Sequence, residues 1–237
     1  MKRIATILIA GAGLTAFAEP PKANSVKEHE GNESVAAKGV TDARKAYQDS
    51  LHRLYEIYVH NGEKEKARWV EEEIKGFHLS VKPAYRLDDV PGPKLDGKEN
   101  IKEANEIFRQ AMLYKDRGFG SEYTLNQHRA EILYLELIEK YPNSDKISDA
   151  AYDLGSLYEG RAYKQYARAA VFYERSSQWR KSGRTDARMR AAKLYDKQLN
   201  ERSKAIEMYR DVVAHDTDVE RLKEAERRLA ELTGSKK

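Results

Sequence analysis

The chain contains no cysteine. That absence excludes disulfides, thiolate-bound zinc, thiol nucleophiles and a lipid-modified N-terminal cysteine. It suits oxidising and reducing compartments alike, so it assigns neither. Proline and glycine are scarce, at 6 and 14 of 237 residues, and they cluster instead of recurring at short intervals, which argues against an all-β chain. Phenylalanine occurs 5 times against 15 tyrosines. Helix seams are therefore expected to be filled by rings whose hydroxyls reach water. No large excess of one charge exists either: the formal net charge is +4, too small for a generic polyanion binder.

Catalytic signatures are missing as well. The chain has no Gly-rich phosphate loop, no G-x-S-x-G and no H-E-x-x-H. Glu71-Glu72-Glu73 and Asp88-Asp89 are adjacent carboxylates, which diverge on a helix instead of converging on one point as acid–base chemistry requires. The histidines are scattered: His52 and His60 sit about 80° apart on one helix, and His128 and His215 stand alone. No catalytic residue, metal or cofactor is expected.

What is present begins with an export pattern. Met1-Lys2-Arg3 is a short positive start, Ile4 to Ala16 is uncharged and mostly apolar, and Ala16-Phe17-Ala18 has the small-x-small form of a cleavage site. The apolar run is shorter than the roughly 20 residues of a spanning helix, and no later run approaches that length. Residues 1–18 thus read as a signal peptide, placing the chain in the periplasm or cell envelope. Residues 19–40 are polar and aperiodic and read as a flexible linker.

Helical periodicity starts at Thr41. Ala43, Ala46, Tyr47, Leu51, Leu54, Tyr55 and Tyr58, the turn pair Asn61-Gly62, and then Ala67, Trp69, Val70, Ile74 and Phe77 predict a hairpin over 41–78. Pro83, Pro91, Gly92, Pro93 and Gly97 mark 79–100 as a linker or strap, the best candidate boundary in the chain. Residues 101–232 then carry paired amphipathic helices, closed by a cap over 218–232 whose other face is charged, with a disordered tail at 233–237.

Within that stretch one pattern recurs in phase: Ala130-x3-Tyr134-x2-Leu137, Ala169-x3-Tyr173-x2-Ser176 and Ala205-x3-Tyr209-x2-Val212. The copies are 39 and then 36 residues apart (169 − 130, 205 − 169), a period suited to stacked helix–turn–helix units. A small residue lets two helices approach, and an aromatic one turn later fills the gap to the next unit.

Leu154-Gly155-x-x-Tyr158 followed by Ala169-x3-Tyr173 resembles the tetratricopeptide repeat (TPR), as does Ala130-x3-Tyr134 with Pro142 eight residues beyond the tyrosine. The unit at 186–214 is a weaker copy through Ala191-Ala192-x-x-Tyr195, and 42–77 matches only in Leu54, Tyr58 and Ala67. The run Leu135 to Ser144, followed by Ala150-Ala151-Tyr152-Asp153-Leu154-Gly155, is similar to exported TPR proteins of bacterial envelopes. The resemblance implies an all-α fold, a right-handed α-solenoid of about four TPR-like hairpins plus a capping helix. It also implies a groove lined by the first helix of each pair, which here projects to Arg109, Met112, Tyr152, Ser156, Met189, Arg190, Lys193 and Lys197.

The sharpest local bias lies at 161–193. Ten basic residues, among them Arg184, Arg188, Arg190 and Lys193, face only Glu174 and Asp186, with Tyr163, Tyr166, Tyr173 and Trp179 interleaved. Such a stretch is either a solvated face or a cradle for an anion, since guanidinium groups hold carboxylates bidentately. The expected partner is a protein, as a peptide or a domain, with acidic segments included. Export argues against nucleic acid. Three roles follow: an envelope adaptor without catalysis, a module whose basic region docks peripherally on anionic lipid or polymer, or a structural subunit of a larger assembly.

Overall fold

The structure is a computed structural model and describes residues 23–80, 87, 90–179 and 186–234. The expected signal peptide, Arg184 and residues 235–237 of the expected tail lie outside the described residues. Regular structure among the described residues is all α-helical: α1 (Ala23–His60), α2 (Lys64–Leu79), α3 (Lys102–Tyr114), α4 (Gly120–Lys140), α5 (Ile147–Glu159), α6 (Tyr166–Trp179), α7 (Ala187–Lys197), α8 (Arg202–His215) and α9 (Val219–Thr233). Among the described residues no helix is long and apolar enough to cross a membrane.

The described residues divide into two units, one up to Ala43 and one from Arg44 onward. In the first, the stretch expected to be a flexible linker is helical from Ala23 onward. No proline interrupts it, and its Ala, Lys and Glu residues favour helix even where no apolar face exists. Lys38 Nζ donates to Asp42 at 2.8 Å and the Thr41 hydroxyl to the Ala37 carbonyl, both one helical turn apart. The side chains gain little burial there, as Val35 illustrates.

In the second unit consecutive helices pack on one another from α3 to α9, and α2 packs on α4. The three repeated alanines and tyrosines all lie in the core: Ala130, Ala169 and Ala205, and Tyr134, Tyr173 and Tyr209, are 0% exposed. Gly155 on α5 faces Tyr173 on α6, so close that a β carbon there would lie 2.7 Å from the ring.

One connection recurs in three places. At the end of α1 the Tyr58 carbonyl accepts from Glu63 N at 2.9 Å; at the end of α5 the Tyr158 carbonyl accepts from Gln165 N at 2.8 Å; at the end of α7 the Tyr195 carbonyl accepts from Glu201 N at 2.8 Å. A left-handed residue precedes each donor: Gly62 (φ 71), Lys164 (φ 52) and Asn200 (φ 55). The carbonyls of Glu63, Gln165 and Glu201 then accept from Ala67, Ala169 and Ala205, which opens the second helix on the small residue of the repeat. This turn also sets the start of α6 at Tyr166: Lys164 cannot belong to a right-handed helix at φ 52.

The described part of 79–100 is a strap and not a boundary. Val90 joins the core; Arg175 Nε on α6 donates to the Pro91 carbonyl at 2.8 Å and Trp179 Nε1 to the Gly92 carbonyl at 2.9 Å. Further on, Lys98 N and Glu99 N both donate to the Asn143 carbonyl, and Asp145 N donates back to Glu99. Gly97 is required in this crossing, because a β carbon would collide with the Ser144 carbonyl oxygen. The final helix is capped at its start by the Asp218 carboxylate, which accepts from Arg221 N at 2.9 Å, and left-handed Gly234 follows its last residue.

Candidate functional site

The hydroxyls of the core tyrosines meet carboxylates, not water. Tyr134 donates to Asp153 at 3.0 Å, Tyr173 to Glu159 at 2.7 Å, Tyr195 to Glu174 at 3.1 Å and Tyr209 to Asp196 at 3.1 Å. A cation completes most of these pairs: Lys115 reaches Asp153 at 2.8 Å, and Arg228 grips Asp196 through Nε and Nη2 at 2.9 and 2.8 Å. Burial, followed by the neighbouring carboxylates, pushes the Tyr173, Tyr195 and Tyr209 hydroxyls well above their ordinary range, so each stays a proton donor. The seams therefore consume both the phenols and much of the charge.

Among the described residues of the basic stretch, Arg175, Arg188, Arg190 and Lys193 are spent in the same way. Arg188 is 7% exposed, with Nε 2.6 Å from Asp211 on α8. Arg190 donates through Nε to Asp186 at 2.8 Å and through Nη1 to Tyr173 at 3.1 Å and Glu159 at 3.4 Å. Lys193 pairs with Glu224 of α9 at 2.8 Å, Arg175 is held by the strap and Gln178, and Arg161 stacks on the Tyr123 ring at 4.1 Å. Asp186 is counted within 161–193, but Asp211, Glu224 and Glu159 lie outside that window, and a count over it does not register them.

The groove positions fall into two groups. Tyr152, Asp186, Met189, Arg190 and Lys193 come together: the Tyr152 hydroxyl donates to Asp186 at 2.8 Å, and the Arg190 guanidinium lies over the Tyr152 and Tyr173 rings at 5.4 and 5.6 Å. Glu159, Asp186, Met189, Arg190, Lys193 and Arg221 line a cleft of about 380 Å³. Burial would raise the Asp186 carboxyl, but the Arg190 and Tyr152 hydrogen bonds outweigh it and hold it below its usual range. Ser156 is half-buried on α5, while Lys197 is exposed at the end of α7. Arg109, on α3, pairs with exposed Glu106 one turn away, and Met112 is exposed near the end of that helix. The cleft can offer the Arg190 Nη2 edge and the Lys193 ammonium to an acceptor, and Glu159 to a cation, over a floor of Met189.

A second polar cluster was not legible in the sequence. His128, which reads as isolated, is buried on α4 with its ring 5.7 Å from that of His78 on α2 and 4.9 Å from that of Tyr163. Its Nδ1 lies 2.5 Å from the Tyr163 hydroxyl and 3.2 Å from Glu131, and Glu131 also accepts from Tyr158 at 2.6 Å and from Tyr163. Burial pushes the Glu131 carboxyl up, but the His128 bond and charge and the two phenols overcome this and hold it down at about 2. No local spacing links residues 78, 128 and 163, so only packing reveals the group. Among the described residues no three His, Asp or Glu side chains are arranged to hold a metal ion.

Comparison of the chain with protein-family models, with curated proteins and with solved structures gives no match.

Proposed function

We propose that this chain is an exported, non-catalytic adaptor: a right-handed α-solenoid of TPR-like hairpins that holds a segment of another protein in the bacterial cell envelope. The observation that carries this reading is the repeated turn, in which a tyrosine carbonyl, a left-handed residue and an alanine four residues after the donor recur at α1–α2, α5–α6 and α7–α8. A unit repeated in this way leaves an apolar flank that only the next unit covers, and the first helices then line one surface. The cleft supports a polypeptide ligand, because it sets charges of both signs at fixed places beside a thioether and a tyrosine ring. Export rests on the pattern of residues 1–18.

The test is capture from envelope fractions with residues 19–237 as bait, beside a Lys193→Glu, Lys197→Glu, Arg109→Glu variant. The expected result is a defined protein retained by the first bait and lost from the second at unchanged melting temperature. Retention by neither bait would overturn the adaptor reading, and equal retention by both would remove the cleft from it.

A further inference from the structure

The corner between α3 and α4 presents an apolar tip that the fold does not use. Phe119 is 89% exposed, and Met112 and Leu113 in the last turn of α3 are 53% and 49% exposed. Phe119 is extended (φ −132, ψ 154) and stands between two left-handed glycines, Gly118 (φ 82) and Gly120 (φ 56). A β carbon at Gly118 would press on the Tyr123 and Glu122 backbone at 3.1–3.2 Å, so the tight corner that projects the ring depends on glycine.

Two arginines flank this corner. Arg117 Nη1 donates to the Leu113 carbonyl at 3.2 Å, which keeps the guanidinium beside the apolar side chains. Tyr123, one turn from Phe119 and bonded to its carbonyl, carries the Arg161 guanidinium over its ring at 4.1 Å. Arg161 and Lys164 lie in the exposed α5–α6 connection. The acids at the corner are Asp116, 3.7 Å from Lys115, and exposed Glu122.

We infer that this corner is a membrane-docking tip, in which Phe119, with Met112 and Leu113, enters the interface of an anionic lipid surface while Arg117, Arg161 and Lys164 meet the headgroups. An exposed ring flanked by two arginines suits a bilayer interface: the apolar part is buried a few ångströms deep and the cations stay at headgroup level. Charge complementarity supports an anionic lipid surface, since each cation near it strengthens attraction to the headgroups and salt screens that attraction. The inference does not depend on the cleft between α5, α7 and α9.

The full chain carrying Phe119→Trp is mixed with phosphatidylcholine vesicles with and without phosphatidylglycerol, and the fluorescence of the wild type (Trp69 and Trp179) is subtracted. The expected result is a blue shift and quenching by brominated lipid, seen only with the anionic vesicles and lost at high salt. Adding Arg117→Glu and Arg161→Glu is expected to weaken binding at least tenfold, with the thermal melt recorded to show that the fold persists. An indole signal from the Phe119→Trp chain that stays water-like on anionic vesicles, or that ignores the charge reversals in a folded variant, overturns the proposal.

Discussion

Gly155 and Tyr173 are in direct contact across the α5–α6 seam, with no room between them for a β carbon. The tyrosine is itself fully buried, so it cannot swing aside. Gly155→Ala gains about 1 kcal/mol of helix propensity but overpacks the seam by roughly 1–3 kcal/mol. Thermal unfolding is expected to show a lower Tm for Gly155→Ala and a much lower one for Gly155→Leu. An unchanged Tm for the leucine variant would show that the two helices do not meet here.

Removal of the Glu131 charge is expected to flatten the acid limb of the stability curve. The folded carboxyl is held at about 2, below its ordinary 4.5, so its contribution is complete above about pH 4.5 and disappears as pH falls toward 2. The size is on the order of 3 kcal/mol. Denaturant titrations of Glu131→Gln and wild type between pH 7 and about pH 2.5 should converge at the acid end. Parallel curves would mean that Glu131 is not held in its charged form.

Arg188 should be far more sensitive to substitution than its neighbours in the basic stretch. Arg188→Ala removes a nearly buried guanidinium and its 2.6 Å bond to Asp211, a carboxylate that is itself 31% exposed and keeps His215, at a cost of about 1.5–3 kcal/mol. Lys197→Ala, on an exposed position, is expected to change stability by less than about 0.5 kcal/mol. Equal effects from the two substitutions would contradict the packing of α7 on α8.

Tyr134→Phe, Tyr173→Phe and Tyr209→Phe each keep the ring and remove one hydroxyl donor from a carboxylate. Each should cost about 1–2 kcal/mol, because the bonds end on charged acceptors. Tyr134→Phe should be the costliest, since Asp153 is nearly buried and would retain only Lys115. Equilibrium unfolding of the three variants provides the ranking.

The helices from α3 to α9 were legible because alanine, leucine and tyrosine recur at helical spacing and because Pro142 punctuates them, as Asn61-Gly62 does the hairpin before them. The polar first half of α1 was not, since a helix without an apolar face leaves no periodic trace. The strap read as a boundary because proline and glycine mark a break in helix without saying what the extended chain then touches. Of the groove residues, Met189, Arg190 and Lys193 line one cleft, with Tyr152 behind Arg190, whereas a count over 161–193 misses Asp211 and Glu224, which lie beyond that window. The His78–His128 contact joins residues 50 positions apart (128 − 78), beyond the reach of any local pattern.

Helices that touch only their neighbours in the chain loosen from either end, one at a time. The strap alters that order. It is pinned to α6 by Arg175 and Trp179 and to the α4–α5 corner by Asn143 and Asp145, so α6 cannot peel away without pulling residues 91–99 off that corner. In amide hydrogen exchange, α4, α5 and α6 should open as one cooperative block, while α9 frays alone. Trp179→Phe, by releasing the Gly92 carbonyl, would divide that block.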